Sequence, residues 1–383
     1  MNQTIKTFLL ESLGVPQGII DASEQLFKKI LSNVNRLDDI EDDFMFEVSS
    51  PLTISDFKIK KLVITINFVE TDQVESVRYY TMSFHHESKY DDDSMSIVSK
   101  PYDGIVKLSI GIVYPENSTV EDVKKYFKDS STSLVTSLAH ELKHSFDDFK
   151  DQRTSVKNIS KYLGIQKTNF PFKPISNFLF NLYFIHSIEN LVRPTEFATL
   201  MKLNNVNKKD FYNFVTSSEM YGSLRNAYNF SYEKMTEELK NDIPNIKSFL
   251  DKLGVDVPNT DDEIVDELLR LLYVNLVNNT ISTVKELMTN NFLENLFGFS
   301  GDKDKFFDKL ARIFSKFSDR ELDFFKYEEK NMKHISSKMM KKISKLYDLA
   351  NDDKNSIKDW DLHQKISGKT NETIDKDYKY KIR

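Results

Sequence analysis

His140, Glu141 and His144 lie in the stretch SLVTSLAHELKHSFDDF, residues 133–149, in the order H-E-x-x-H. On an α-helix, residues four apart sit one turn above each other on the same face. Both imidazoles can then reach one ion. Glu141 is turned about 100° away by the helix, so its carboxylate can touch a water on that ion without ligating it. Two neutral nitrogens suit zinc, and a carboxylate beside them suits proton removal. The same helix, expected over about residues 131–150, carries an apolar stripe on its other side, made of Leu134, Val135, Leu138 and Leu142. One face would anchor in a core while the other holds ligands, which a rigid ligand set requires.

This stretch resembles the active-site helix of zincin metallopeptidases. The order of a sheet followed by this helix looks like a zincin catalytic domain, and HELKHSFDDF also resembles the HEL-x-H helices of small, divergent metallopeptidase-like proteins of bacteria and their phages. The resemblance covers about residues 57–200, and its specific motif is five residues long. It implies His140 and His144 as zinc ligands and Glu141 as general base. Catalytic zinc takes three protein ligands and keeps one position open. The metzincin extension is missing, because Asp147 and Lys150 stand where its Gly and third His would be. The gluzincin pattern, which draws a Glu from a later helix, offers Glu196 in RPTEFATLM or Glu189 in HSIENL. Glu196 is the preferred ligand. Its P-T-E-F-A-T run resembles the P-x-E-x-x-A segments of divergent gluzincin-like peptidases, and Pro194 would fix the start of its helix. A Glu in a first helical turn is also favoured by the helix dipole alone.

Other groups have a chemical reading and a plainer one. His186 or Tyr221 could steady an oxyanion; a lone His on an apolar face is more often a core residue. Asp147, on the face of the two histidines, could hold the outer N–H of a ligand imidazole, and Asp148 follows it; both also read as surface carboxylates. His85 and His86 alternate across a strand and cannot face one ion. Asp91–Asp93 read as a solvated loop. Lys333, Lys338, Lys341, Lys342 and Lys345 form a basic stretch that suits a solvated helix face better than nucleic acid.

The positioning elements are legible in outline. Two short helices are expected within residues 1–45, the first built on Phe8, Leu9 and Leu13, the second on Leu26, Ile30 and Val34. Asp38–Asp43 reads as a connection. Residues 57–69 alternate as a strand. VRYYTMSFH puts Tyr80, Met82 and Phe84 on one face, and GIVKLSIGIVYP forms a third strand, giving an antiparallel or mixed sheet. Ser118 or Thr119 caps a following helix. Helices continue from about 155, including one over 303–349 marked by Phe306, Leu310, Phe314 and Phe317. The fold class is therefore α+β: a zincin-like mixed sheet, the HExxH helix, and a large helical C-terminal part. The expected divisions are 1–45, a catalytic domain at 46–205, a helical domain at 206–350 and a charged tail at 351–383.

Composition narrows the function classes. Of 383 residues, 29 are Phe and 17 Tyr, ample for a core, and none is Cys, so neither disulfides nor thiolate metal sites are possible. A net charge of −6 argues against a dedicated nucleic-acid binder. No signal peptide and no membrane span is expected, which suits a cytoplasmic or virion-associated protein. The function expected is a zinc-dependent metallopeptidase that cleaves a protein or peptide substrate by Glu-assisted attack of a zinc-bound water. The alternative is a non-enzymatic phage virion or assembly protein, partnered by other virion proteins, that retains a zincin-like domain.

Overall fold

The computed structural model describes Leu10 and residues 13–40, 43–49, 52–85, 88–91, 96–99, 105–151, 153–155, 164–289 and 321–346. The expected first helix, the helical stretch marked by Phe306 to Phe317 and the charged tail lie outside the described residues. So do the side chains of His85, His86, Asp91–Asp93 and Asp148.

Helix α1 (Ile19–Val34) buries Leu26, Ile30 and Val34 as its periodicity requires. Strand β1 (Asp43–Val48) follows where a connection was expected to end, and its acidic start is its exposed end. Residues expected as one strand form two. After β2 (Leu52–Ile54), β3 (Phe57–Ile59) closes a small hairpin with it, and β4 (Lys61–Glu70) belongs to the main sheet. Next come β5 (Arg78–His85), β6 (Ser88–Asp91), β7 (Ser96–Ser99) and β8 (Ile105–Tyr114).

The main sheet has the order β1-β4-β8-β5. Its centre is parallel, with Leu62, Ile64, Ile66 and Phe68 of β4 beside Val106, Leu108, Ile110 and Ile112 of β8. All eight are buried on one face. The outer strands β1 and β5 run antiparallel to their neighbours, so the sheet is mixed. β8 therefore lies inside, while β5 is the edge beside the HExxH segment.

Along β5 the expected alternation breaks. The register slips between Tyr79 and Thr81, so Tyr79 pairs with Ile112 and Met82 with Ile110. A bulge of this kind moves one residue to the other face. Tyr79, not Tyr80, thus turns towards the core, and Tyr80 is left half exposed. Gly111 makes this possible: a Cβ there would sit 2.5 Å from the Tyr80 ring.

Helix α2 (Val120–Asp129) starts at a Thr119 cap, with Asp122 closing a reciprocal capping box. Helix α3 (Ser131–Asp151) then lays Leu134, Val135, Leu138 and Leu142, all buried, into the core formed with α1 and the sheet. β9 (Arg153–Ser155) adds to a small sheet with β6 and β7. The helical part comprises α4 (Lys173–Phe184), α5 (Ser187–Leu203), α6 (Lys208–Ser217), α7 (Glu219–Asn229), α8 (Tyr232–Lys240), α9 (Ile243–Lys252), α10 (Asp261–Thr289) and α11 (Glu321–Leu346). α11 packs on α7 and α5, and Phe324 and Phe325 join Phe178 in an aromatic cluster. The buried apolar residues from α1 to α11 form one contiguous core. The architecture is α+β with a helical majority. No described helix is long and apolar enough to cross a membrane.

α5 departs from expectation in a way that matters for the site. It was expected to begin at Pro194. Instead the chain breaks at Ile185–His186, and α5 runs from Ser187 straight through Pro194. Pro194 forfeits the bond to the Asn190 carbonyl, but buried Val192 and Phe197 hold the helix on the core either side of it.

Candidate metal centre

α3 and α5 pack face to face, and their charged residues meet. The Nε2 atoms of His140 and His144 point at each other, 3.0 Å apart, with the rings tilted by 74°. The Glu189 carboxylate approaches both: Oε2 is 3.4 Å from His140 Nε2, and Oε1 is 3.9 Å from His144 Nε2. Glu141 Oε1 lies 3.8 Å from His140 Nε2. His140, Glu141 and His144 each offer one ligand atom, all within 4.8 Å of one another, and so could hold a metal ion.

Glu196 is placed differently. Its Oε1 is 2.6 Å from His140 Nδ1, the nitrogen on the other edge of the ring. The outer N–H of His140 thus donates to Glu196, which leaves Nε2 as the free lone pair. The same position was expected for Asp147, but Asp147 pairs with the buried Lys143 on its own helix.

One residue of this constellation went unnoticed in the sequence. Arg193 lies between the two acids of α5. Its Nη2 donates to Glu189 Oε2 at 2.8 Å, and its Nη1 to both oxygens of Glu196 at 2.9 and 3.0 Å. The guanidinium also stacks 4.8 Å from the Phe184 ring centre. The signal was present, since Glu189, Arg193 and Glu196 sit at i, i+4 and i+7 and share a helix face. Tyr183 contributes a hydroxyl 3.5 Å from Glu189 Oε1. His186 is buried at the α4–α5 junction, and Tyr221 is buried on α7.

The chain matches no family model, no curated protein and no solved structure.

Burial disfavours every charge here, and neighbours decide which survive. For Glu196 burial is outweighed by Arg193 and His140, which hold its carboxyl well below the usual range. Burial likewise opposes a proton on His140, but Glu196, Glu189 and Glu141 together push its pKa up. For Glu141 burial wins, raising its pKa to about 7 despite the pull of His140 and a hydrogen bond from the Phe84 backbone N–H of β5. Burial, helped by His140 and Arg193, drives His144 down to about 3.

The charges form a simple balance. Three ionised carboxylates (Glu141, Glu189, Glu196) and one guanidinium leave two negative charges when both imidazoles are neutral. One divalent cation would cancel them. Without a cation, the neighbouring acids push the pKa of His140 up and burial pushes that of Glu141 up, both towards lower net negative charge. Distances agree as well. Two bonds of about 2.0–2.1 Å meeting at a tetrahedral angle separate the ligand nitrogens by roughly 3.3 Å, close to the observed 3.0 Å.

Proposed function

We propose that this chain is a zinc-dependent metallopeptidase with a zincin-like, gluzincin-type centre. His140, His144 and Glu189 would hold the ion, and Glu141 would be the general base. The observation that carries this reading is the convergence of the Glu189 carboxylate on two Nε2 atoms that already face each other. Glu196, expected as the third ligand, lies against Nδ1 and is better suited to orient His140.

When bound, zinc supplies Lewis acidity at a scissile carbonyl and brings the pKa of a water at the site to about 7. The chain's own groups then have separate tasks. Glu141 takes the proton of the attacking water and passes it to the leaving amine. The Phe84 N–H steadies that carboxylate. Glu196 and Arg193 fix the tautomer and direction of His140. An extended peptide would pair with the edge strand β5. β8 is flanked by β4 and β5 and has no open edge.

The test is metal content and peptide hydrolysis measured together on the wild type and on Glu141→Gln. The expected result is one zinc per chain in both and hydrolysis only in the wild type. Equal hydrolysis by the two proteins would reject Glu141 as base, and absence of bound metal from both would reject the centre.

A further inference from the structure

A cavity of about 270 Å³ lies between α4, α7 and the start of α8, lined by none of the metal-centre residues. Its most enclosed polar group is Asn181, which is only 5% exposed. Asn181 lines the cavity from α4. One turn earlier on α4 stands Asn177, and Asn226 and Asn229 line the cavity from α7. These three are exposed at the mouth. Four amides thus edge one cavity from two helices.

Apolar surface completes it. Phe180, 51% exposed, stacks on Phe184 and presents an uncovered ring at the rim. Phe230 is buried beside it. The two charged residues of the lining, Lys234 and Glu238, stand 3.7 Å apart as an ion pair and offset each other.

We infer that this cavity binds a neutral, hydroxyl-rich ring of the size of one monosaccharide unit. Each primary amide offers donors and an acceptor together, which matches hydroxyls that do both. Polar groups on two walls suit a ring with hydroxyls around its circumference. A flat nucleobase would want polar contacts at its edge and apolar ones on both faces. An anion or cation would find no net charge to hold it. An extended peptide would exceed the space, which falls just below the usual span of small-molecule pockets. The exposed Phe180 ring can cover the apolar face of such a sugar. The site is independent of the metal-centre reading.

The probes are the methyl glycosides of glucose, galactose, mannose and N-acetylglucosamine, with adenosine and N-acetylalanine methylamide as contrasts. Binding is read by saturation-transfer NMR titration of the full chain. At least one glycoside should bind saturably in the millimolar range. Asn181→Leu should weaken it about tenfold or more, while its cooperative unfolding without ligand shows that the variant is folded. Phe180→Ala, at the exposed rim, should also weaken binding. Should Asn181→Leu fail to fold, the mouth variant Asn226→Ala takes its place in the titration. The proposal is overturned if no glycoside binds saturably, if adenosine or the blocked peptide binds better, or if the variants bind as the wild type does.

Discussion

Glu196 Oε1 sits 2.6 Å from His140 Nδ1, on the opposite edge of the ring from the Nε2 that faces His144. This contact separates the two acids of α5 into different roles. Glu189 can share an ion with both imidazoles, and Glu196 can only act through one of them. Glu189→Gln should therefore lower zinc affinity more than Glu196→Gln does. Loss of an outer carboxylate commonly costs 10–100-fold in affinity, so Glu196→Gln should still bind one zinc per chain. Competition against a chromophoric chelator measures both. The reverse order of losses would return Glu196 to the ligand set.

Arg193 carries the one guanidinium that offsets these two carboxylates. Removing one partner of a buried ionic cluster costs about 3–5 kcal/mol, because the remaining charges stay buried without compensation. Arg193→Met should approach that loss in the metal-free protein, read by denaturant unfolding. Adding Glu196→Gln to Arg193→Met should recover part of it, since one stranded charge is gone. Lys at position 193 cannot make the forked contact to both acids, so Arg193→Lys should fall between wild type and Arg193→Met. A metal-free Arg193→Met protein as stable as wild type would mean that the arginine neutralises nothing.

The helix that carries the HExxH spacing was readable because periodicity fixes it. His140 and His144 on one side, and Leu134, Leu138 and Leu142 on the other, leave little choice of face. The strands β4 and β8 were readable for the same reason. What the sequence hid depends on contacts distant along the chain. Whether Glu189 or Glu196 reaches Nε2 is set by how α5 crosses α3, and α5 in turn begins at Ser187 rather than Pro194. A proline reads as a helix start by local preference, but packing by Val192 and Phe197 overrides it. The phase change in β5 was equally hidden, because a bulge shows in a register and not in an alternation of residue types.

That bulge makes Gly111 a sensitive position. Any side chain there meets the Tyr80 ring and the Thr81 methyl, at 2.5–2.6 Å from a Cβ. Tyr79, the neighbour of Tyr80, accepts a hydrogen bond from Ser137 of α3 at 2.9 Å, tying the edge strand to the helix that carries His140 and His144. Gly111→Val should therefore destabilise the fold by about 1–3 kcal/mol as an overpacking change. It should also lower hydrolysis more than zinc content, because it moves β5 and leaves the ligands on α3 and α5. Unchanged Tm and unchanged activity would show that Tyr80 swings aside freely. A proportionate loss of zinc and activity would show that the strand is not separately involved.

The raised pKa of Glu141 has a consequence for stability in the metal-free protein. Its folded value is about 7 against an ordinary 4.5. Between those values the folded chain holds a proton that the unfolded chain has released. Stability then falls as pH rises through this window, because folding takes up a proton that becomes scarcer. At about 1.4 kcal/mol per unit of pKa the full loss would be about 3.5 kcal/mol; since 19% of the side chain is still exposed, a loss of about 1–3 kcal/mol is expected. His140 acts in the same direction and His144 in the opposite one, so the isolating comparison is wild type against Glu141→Gln, both stripped of metal. The Gln variant should gain relative stability steadily from pH 5 to pH 7.5, roughly the window those two values define. If the two unfolding free energies keep a constant difference over that range, Glu141 is ionised throughout, and burial does not govern its proton.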